Sequence, residues 1–362
     1  MKKLLALSAV LACGLSLTAC GNNDNSSSNN SSNGSSVNNT PTTKSVNVGV
    51  GYTGSFADGQ FDLTTAMVAF DSTGRIEGAR IDVIQVVVTA AETEGVAIAS
   101  TKGEVGYNED GTIKTKLELG KDYNMSLGGV NPVAAEVDAQ IEDFAKWTVG
   151  KTVSEIKTNL VSKDDGHGGQ SDYMKDGVLS SCTIVVGDFV AAIESAYALK
   201  STKTYEVAPE FTTGVAVNAN LYQPTVLDFD LGGALVVGDK VVAARVDCVA
   251  VEFTVAEGVV SLKDGSQYYD ATTGAFKSKR TLGDDYGMKT GNGKGYGSAD
   301  LEWWEQADVI EAACVGKTSA EIAALVKGTG DLASATMNLS TYVGSVAKAA
   351  TYAPKAHVGP QA

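Results

Sequence analysis

Internal repetition narrows the possible folds more than any other feature of this chain. Residues 74–83 match 239–248, residues 114–125 match 277–288, and residues 149–156 match 315–322. The three blocks fall in the same order, at separations of 165, 163 and 166 residues. They carry an Ala-Arg-x-Asp string (Arg80 and Asp82; Arg245 and Asp247), a Lys-x-Lys-x-x-Leu-Gly-x-Asp-Tyr-x-Met string, and Val-Gly-Lys-Thr. One fold has to serve twice, so we expect one module at 45–200 and a second at 201–354.

Each module opens with strand signals and closes with helical ones. Residues 46–50, 61–70 and 75–88 are rich in Val, Ile and Phe with turns at Gly and Asp, and 226–235 and 241–255 repeat the pattern. Asp-Ser-Thr-Gly at 71–74 reads as a hairpin turn. Residues 133–147 and 301–313 carry apolar side chains at helical spacing. Thr152 with Glu155 has capping-box spacing, and 189–199 and 342–352 read as closing helices. The expected class is α+β: two tandem copies of a twisted antiparallel sheet followed by packed helices.

The start of the chain has another character. Lys2 and Lys3 precede an apolar run, residues 4–17, too short to span a bilayer. It ends in Leu17-Thr18-Ala19-Cys20-Gly21, which resembles the lipobox of bacterial lipoproteins. That resemblance implies a signal peptide over 1–19, a lipid-modified Cys20, and a protein anchored to the outer face of the cytoplasmic membrane. Several acyl chains would make a durable anchor. Residues 20–44 are nearly all Asn, Ser, Gly, Thr and Asp, a tether with nothing to bury and a reach of roughly 25–30 Å. A short tail, 355–362, follows the second module.

Charge and cysteines exclude several classes. The net charge is −15, and −17 without Lys2 and Lys3, which argues against nucleic acid as a partner. Cys182, Cys248 and Cys314 sit in separate, largely apolar segments without a Cys-x-x-Cys pair. They read as buried free thiols, with one disulfide and one free thiol as the alternative. Zinc is disfavoured. The two histidines, His167 and His357, have no counterpart in the other module, so no nucleophile–base relay is repeated and we do not expect an enzyme. The 164–169 loop around His167 lacks EF-hand spacing and reads as solvated.

Two repeated segments remain as candidate sites. In the Lys-x-Lys block, Tyr123 and Tyr286 are placed to stack on a planar ligand while Lys114, Lys116, Lys277 and Lys279 face an anion. The other reading of that block makes Tyr and Met core plugs. Before each closing helix stands a hydroxyl-rich stretch, Ser181-Cys182-Thr183 and Ser334-Ala335-Thr336, preceded by Asp176 and Asp331. Its bland reading is a helix cap.

This second stretch resembles the FMN-binding domain family, found in flavin-carrying subunits of redox complexes and in surface lipoproteins of extracellular electron transfer. The family has an Asp, then a Ser-Gly-Ala-Thr core, then a helix. Here the cores read Ser-Ser-Cys-Thr and Ala-Ser-Ala-Thr. The resemblance implies FMN as cofactor, Thr183 and Thr336 as attachment residues, Ser181 and Ser334 as their neighbours, Asp176 and Asp331 as leading acids, and redox proteins as partners. A phosphate near a helix start meets free N–H groups. The alternative is a cofactor-free surface lipoprotein binding a small solute or a cell-wall component.

Overall fold

The computed structural model describes residues 43–125, 135–164, 169–291, 299–325 and 330–353. The leader, Cys20, nearly all of the tether, His167 and the tail with His357 lie outside the described residues.

The chain begins with an antiparallel meander: β1 (Lys44–Ala57), β2 (Gln60–Phe70), β3 (Ile76–Ala90) and β4 (Val96–Ser100). Then come a short helix α1 (Lys116–Leu119), α2 (Val137–Thr148), α3 (Val153–Lys157), the hairpin β5 (Leu160–Asp164) and β6 (Gln170–Met174), and α4 (Gly187–Ala198). After β7 (Tyr205–Val207) a second meander and a second set of helices follow, with the small hairpin now ahead of the helices. The second meander is β8 (Thr212–Gln223), β9 (Val226–Val237), β10 (Lys240–Ala256) and β11 (Val259–Leu262), followed by a small hairpin, β12 (Tyr269–Asp270) and β13 (Ala275–Phe276). The helices α5 (Lys279–Leu282), α6 (Trp303–Cys314), α7 (Ser319–Ala323) and α8 (Leu339–Tyr352) complete it. The protein is α+β, with antiparallel sheets and helices packed on them. Among the described residues no helix is long and apolar enough to cross a membrane.

The repeated blocks have visible structural work. Gly150 and Gly316, just past α2 and α6, hold φ of +81° and +79°, a region that favours glycine. Their N–H groups donate to Ile76 O and Val241 O at 2.7 Å, while Ile76 N and Val241 N donate to Lys151 O and Lys317 O at 2.9 Å. Thr152 with Glu155 and Thr318 with Glu321 form capping boxes on α3 and α7. Arg75 and Lys240 each bind those glutamates at 2.8 Å. The Asp71 carboxylate closes the 71–74 turn by accepting from Thr73 N and Arg75 N, both at 2.8 Å.

The two halves form one body rather than beads on a string. The sheets, in order β4-β3-β2-β1-β7 and β11-β10-β9-β8, meet face to face. Val48, Val50, Phe61, Leu63 and Ile84 of the first mingle with Val215, Val217, Phe229, Leu231 and Phe253 of the second in one core. Helices α2 and α4 cover the outer face of the first sheet, and α6 and α8 that of the second. The layers run helix, sheet, sheet, helix. Strand β7, from the second half, pairs with β1 through Lys44↔Val207 and joins the first sheet.

With both faces covered, the strands lose their polar alternation; every residue of β9 up to Val236 is buried. The closing helices lie directly on glycines. A Cβ on Gly51 would fall 2.0 Å from Ala196 N, and one on Gly214 would fall 1.9 Å from Ala349 O. Gly51→Ala should therefore lower stability by at least about 2 kcal/mol, because the clash is with backbone. Gly344→Ala, in α8 with nothing near the new methyl, should raise it by about 0.5–1 kcal/mol. Denaturant titration of both variants checks the pair.

Candidate functional site

The Lys-x-Lys block is a capped turn of helix in both halves. Thr115 and Ser278 cap α1 and α5 with their side chains. Beneath each cap lies a buried aspartate. Asp82 Oδ1 accepts from Val83 N (2.8 Å) and Leu117 N (3.2 Å), and Asp247 Oδ1 accepts from Cys248 N (2.8 Å) and Arg280 N (3.2 Å). A 3₁₀ turn follows and ends in left-handed residues, Asn124 at φ +64° and Gly287 at φ +80°. This geometry fixes the direction of the two tyrosines.

Tyr123 is half-buried and donates its hydroxyl to Gln85 Oε1 at 3.1 Å. Lys102 Nζ lies 3.9 Å from its ring centre and Lys116 Nζ 5.1 Å. Tyr286 is half-buried against the helical core of the second half, with Lys279 Nζ 5.7 Å from its ring. Cationic side chains thus already cover part of the ring surface that a planar ligand would use.

The threonine stretch is held by residues that the sequence reading did not single out. Gln140 on α2 and Gln306 on α6 are wholly buried. Gln140 Oε1 accepts from Thr183 N (2.8 Å) and Thr183 Oγ1 (3.2 Å). Gln306 Oε1 accepts from Thr336 N (2.7 Å), Thr336 Oγ1 (3.3 Å) and Met337 N (3.0 Å). Their amide groups donate to Ala135 O and Leu301 O at 2.8 and 3.1 Å. The signal was present: each glutamine stands nine residues ahead of the repeated Val-Gly-Lys-Thr.

The middle residue of each stretch, Cys182 or Ala335, is a core plug, while Thr183 and Thr336 are exposed. Ser181 is half-buried and Ser334 exposed. The leading acids do not correspond. Asp176 is exposed and pairs with Lys163 at 3.1 Å. Asp331 lies in the 3₁₀ turn 330–332, and the 153-residue separation that relates Thr183 to Thr336 sets it opposite Val178.

Both halves also place an aspartate and a lysine behind the tyrosine, with different outcomes. In the second half Lys279 is buried and donates to Asp228 Oδ2 at 2.7 Å. Asp230 accepts from Asn220 Nδ2 at 2.7 Å, and Cys248 and Tyr342 close the cluster. One oxygen of each aspartate, Oδ1, has no hydrogen-bond partner. Asp228, Asp230 and Cys248 are close enough together to ligate a metal ion, but the Lys279 ammonium already supplies a cation there. Burial disfavours that ammonium, and the surrounding Cys248, Tyr342 and Asp228 more than reverse this, so it stays charged. In the first half Asp62 is held instead by Gln60 and Gln85, at 2.7 and 3.2 Å, and Lys116 stays half-exposed. Cys182, Cys248 and Cys314 are free and buried, and burial pushes the thiols of Cys182 and Cys314 up to about 11 and about 12.

Burial pushes Asp82 up to about 6, helped by the charge of Glu118 and opposed by hydrogen bonds from Thr115, Leu117 and Val83. Burial and then Asp228 push Asp230 up to about 6, opposed by Lys279. A carboxyl whose folded value is raised takes up a proton more readily folded than unfolded. Each group therefore adds stability as pH falls through 6, about 1 kcal/mol between pH 7 and pH 5. The melting temperature should rise over that interval, and Asp82→Asn with Asp230→Asn should flatten the rise.

No protein-family model, curated protein or solved structure matches this chain, so its functional reading rests on the geometry above.

Proposed function

We propose that the chain is a lipid-anchored lipoprotein, tethered through Cys20 to the outer face of a bacterial membrane. In this reading its halves are duplicated modules that carry FMN and pass electrons between redox proteins without turning over a substrate. The observation that supports it best is the twice-built threonine turn: an exposed hydroxyl, pinned by a buried glutamine, a few residues ahead of a helix.

The residues fit the group in part. Thr183 and Thr336 offer outward hydroxyls for a phosphoester, and small neighbours let a phosphate approach. FMN would supply the electron chemistry; the chain would hold its phosphate and wall its ring. The first half fits better, since Lys116 is half-exposed whereas Lys279 is committed to Asp228.

The test is an absorbance scan from about 350 to 500 nm on mature protein from its own host, followed by fluorescence of the denatured chain. Wild type should be yellow, with flavin that survives denaturation. Thr183→Ala should remove most of it, and Thr183→Ala with Thr336→Ala should remove all. A colourless wild-type protein from a host that carries an enzyme for esterifying FMN to threonine would overturn the reading. The cofactor-free alternative draws support from a polar cavity lined by neither threonine, described next.

A further inference from the structure

A cavity of about 300 Å³ lies in the first half, where β3, α1 and α2 meet the closing helix of the second. That is about ten waters' share of liquid volume, room for a small organic molecule. Its walls include Arg80, Asp82, Glu118, Asp138, Glu142 and Tyr352. Four carboxyl groups face two cations. Arg80 Nη1 binds Glu142 Oε1 at 2.8 Å, and Lys348 reaches Glu118 at 2.7 Å. Asp82, deepest among them, is 2 % exposed.

The second half shows what neutralises such a site. Asp82 and Asp247 correspond through their identical bonds to the backbone of the capped helix, and those bonds set Arg280 at the place of Leu117. The Arg280 guanidinium fills the space beside α6. It binds Asp308 Oδ1 at 2.9 Å, Glu311 Oε1 at 2.7 Å and Val246 O at 3.2 Å. Asp308 stands in α6 where Glu142 stands in α2, both two residues beyond the buried glutamine. Ala145 stands where Glu311 stands, and Glu142 is already bound by Arg80. The second half thus carries a guanidinium on its capped turn, and the first half, with Leu117 there, keeps Asp82, Glu118 and Asp138 around the recess without one.

We infer that this recess binds a small organic cation of the guanidinium class, which supplies beside the capped turn the charge that Arg280 supplies in the other half. Two further observations fit. The charge that acts most on Asp82 is that of Glu118, which raises it, whereas Arg280 draws Asp247 back down. The Arg80 Nε–H is buried without a partner. A guanidinium that also carries an acceptor, as arginine does, would meet that donor and the carboxylates at once.

The inference does not depend on flavin. It is tested on the full mature chain by titration with methylguanidinium, then L-arginine, at millimolar concentration and constant ionic strength, read by calorimetry. Saturable binding is expected, tighter for arginine. Leu117→Arg should fill the recess from within, abolish binding and raise the melting temperature. Asp138→Asn should weaken binding roughly tenfold without a change in fold, and it serves where Leu117→Arg misfolds. Absence of saturable binding to wild type, or unchanged affinity in either folded variant, overturns the inference.

Discussion

Everything in this molecule follows from two sheets closing on each other. A meander with helices on one face still exposes a second apolar face, here Val48, Val50, Phe61 and Leu63 in one half and Val217, Phe229, Leu231 and Phe253 in the other. Each such side chain contributes on the order of 2 kcal/mol when water is removed, so neither half is complete alone. The closure also brings tyrosines across the join. Tyr52 of β1 accepts from Ser278 N at 2.6 Å, and Tyr352 of α8 donates to Glu118 at 2.9 Å. Each half thus helps to hold the capped turn of the other.

The same closure decides the fate of polar residues. Between layers there is no water to share, so Asp82, Asp247, Asp228 and Glu311 need internal partners. The halves answer differently. The second seals its acids with Lys279, Arg245 and Arg280. The first leaves Lys116 half-exposed and its acidic recess open. The two halves are alike in their sheets and helices and differ in the charges set around them.

Much of this was legible in the sequence. The α+β class, with helices after the strands, followed from the apolar runs of β2, β3, β9 and β10 and from the helical spacing at 301–313. Strand β8 was not read, because Thr212–Gln223 mixes Asn, Gly and Thr with its valines and is buried only by the layers around it. The face-to-face closure left no local trace, since its contacts join residues far apart in the chain. At the threonine stretches the hydroxyls stood out, while Gln140 and Gln306 did not: a glutamine on a helix looks solvated until the turn it holds is known. The pairing of Asp176 with Asp331 was suggested by proximity to the motif, and the 3₁₀ turn at 330–332 separates their roles.

Strand β1 is where the body meets the chain that precedes it, and it is an interior strand. Its first residues, Lys44 to Val46, are bracketed by β7, and from Asn47 to Ala57 it is zipped to β2. The strand is thus held by one neighbour over its first three residues and by the other over the rest. To free that end, both neighbours have to let go before the core between the sheets can open.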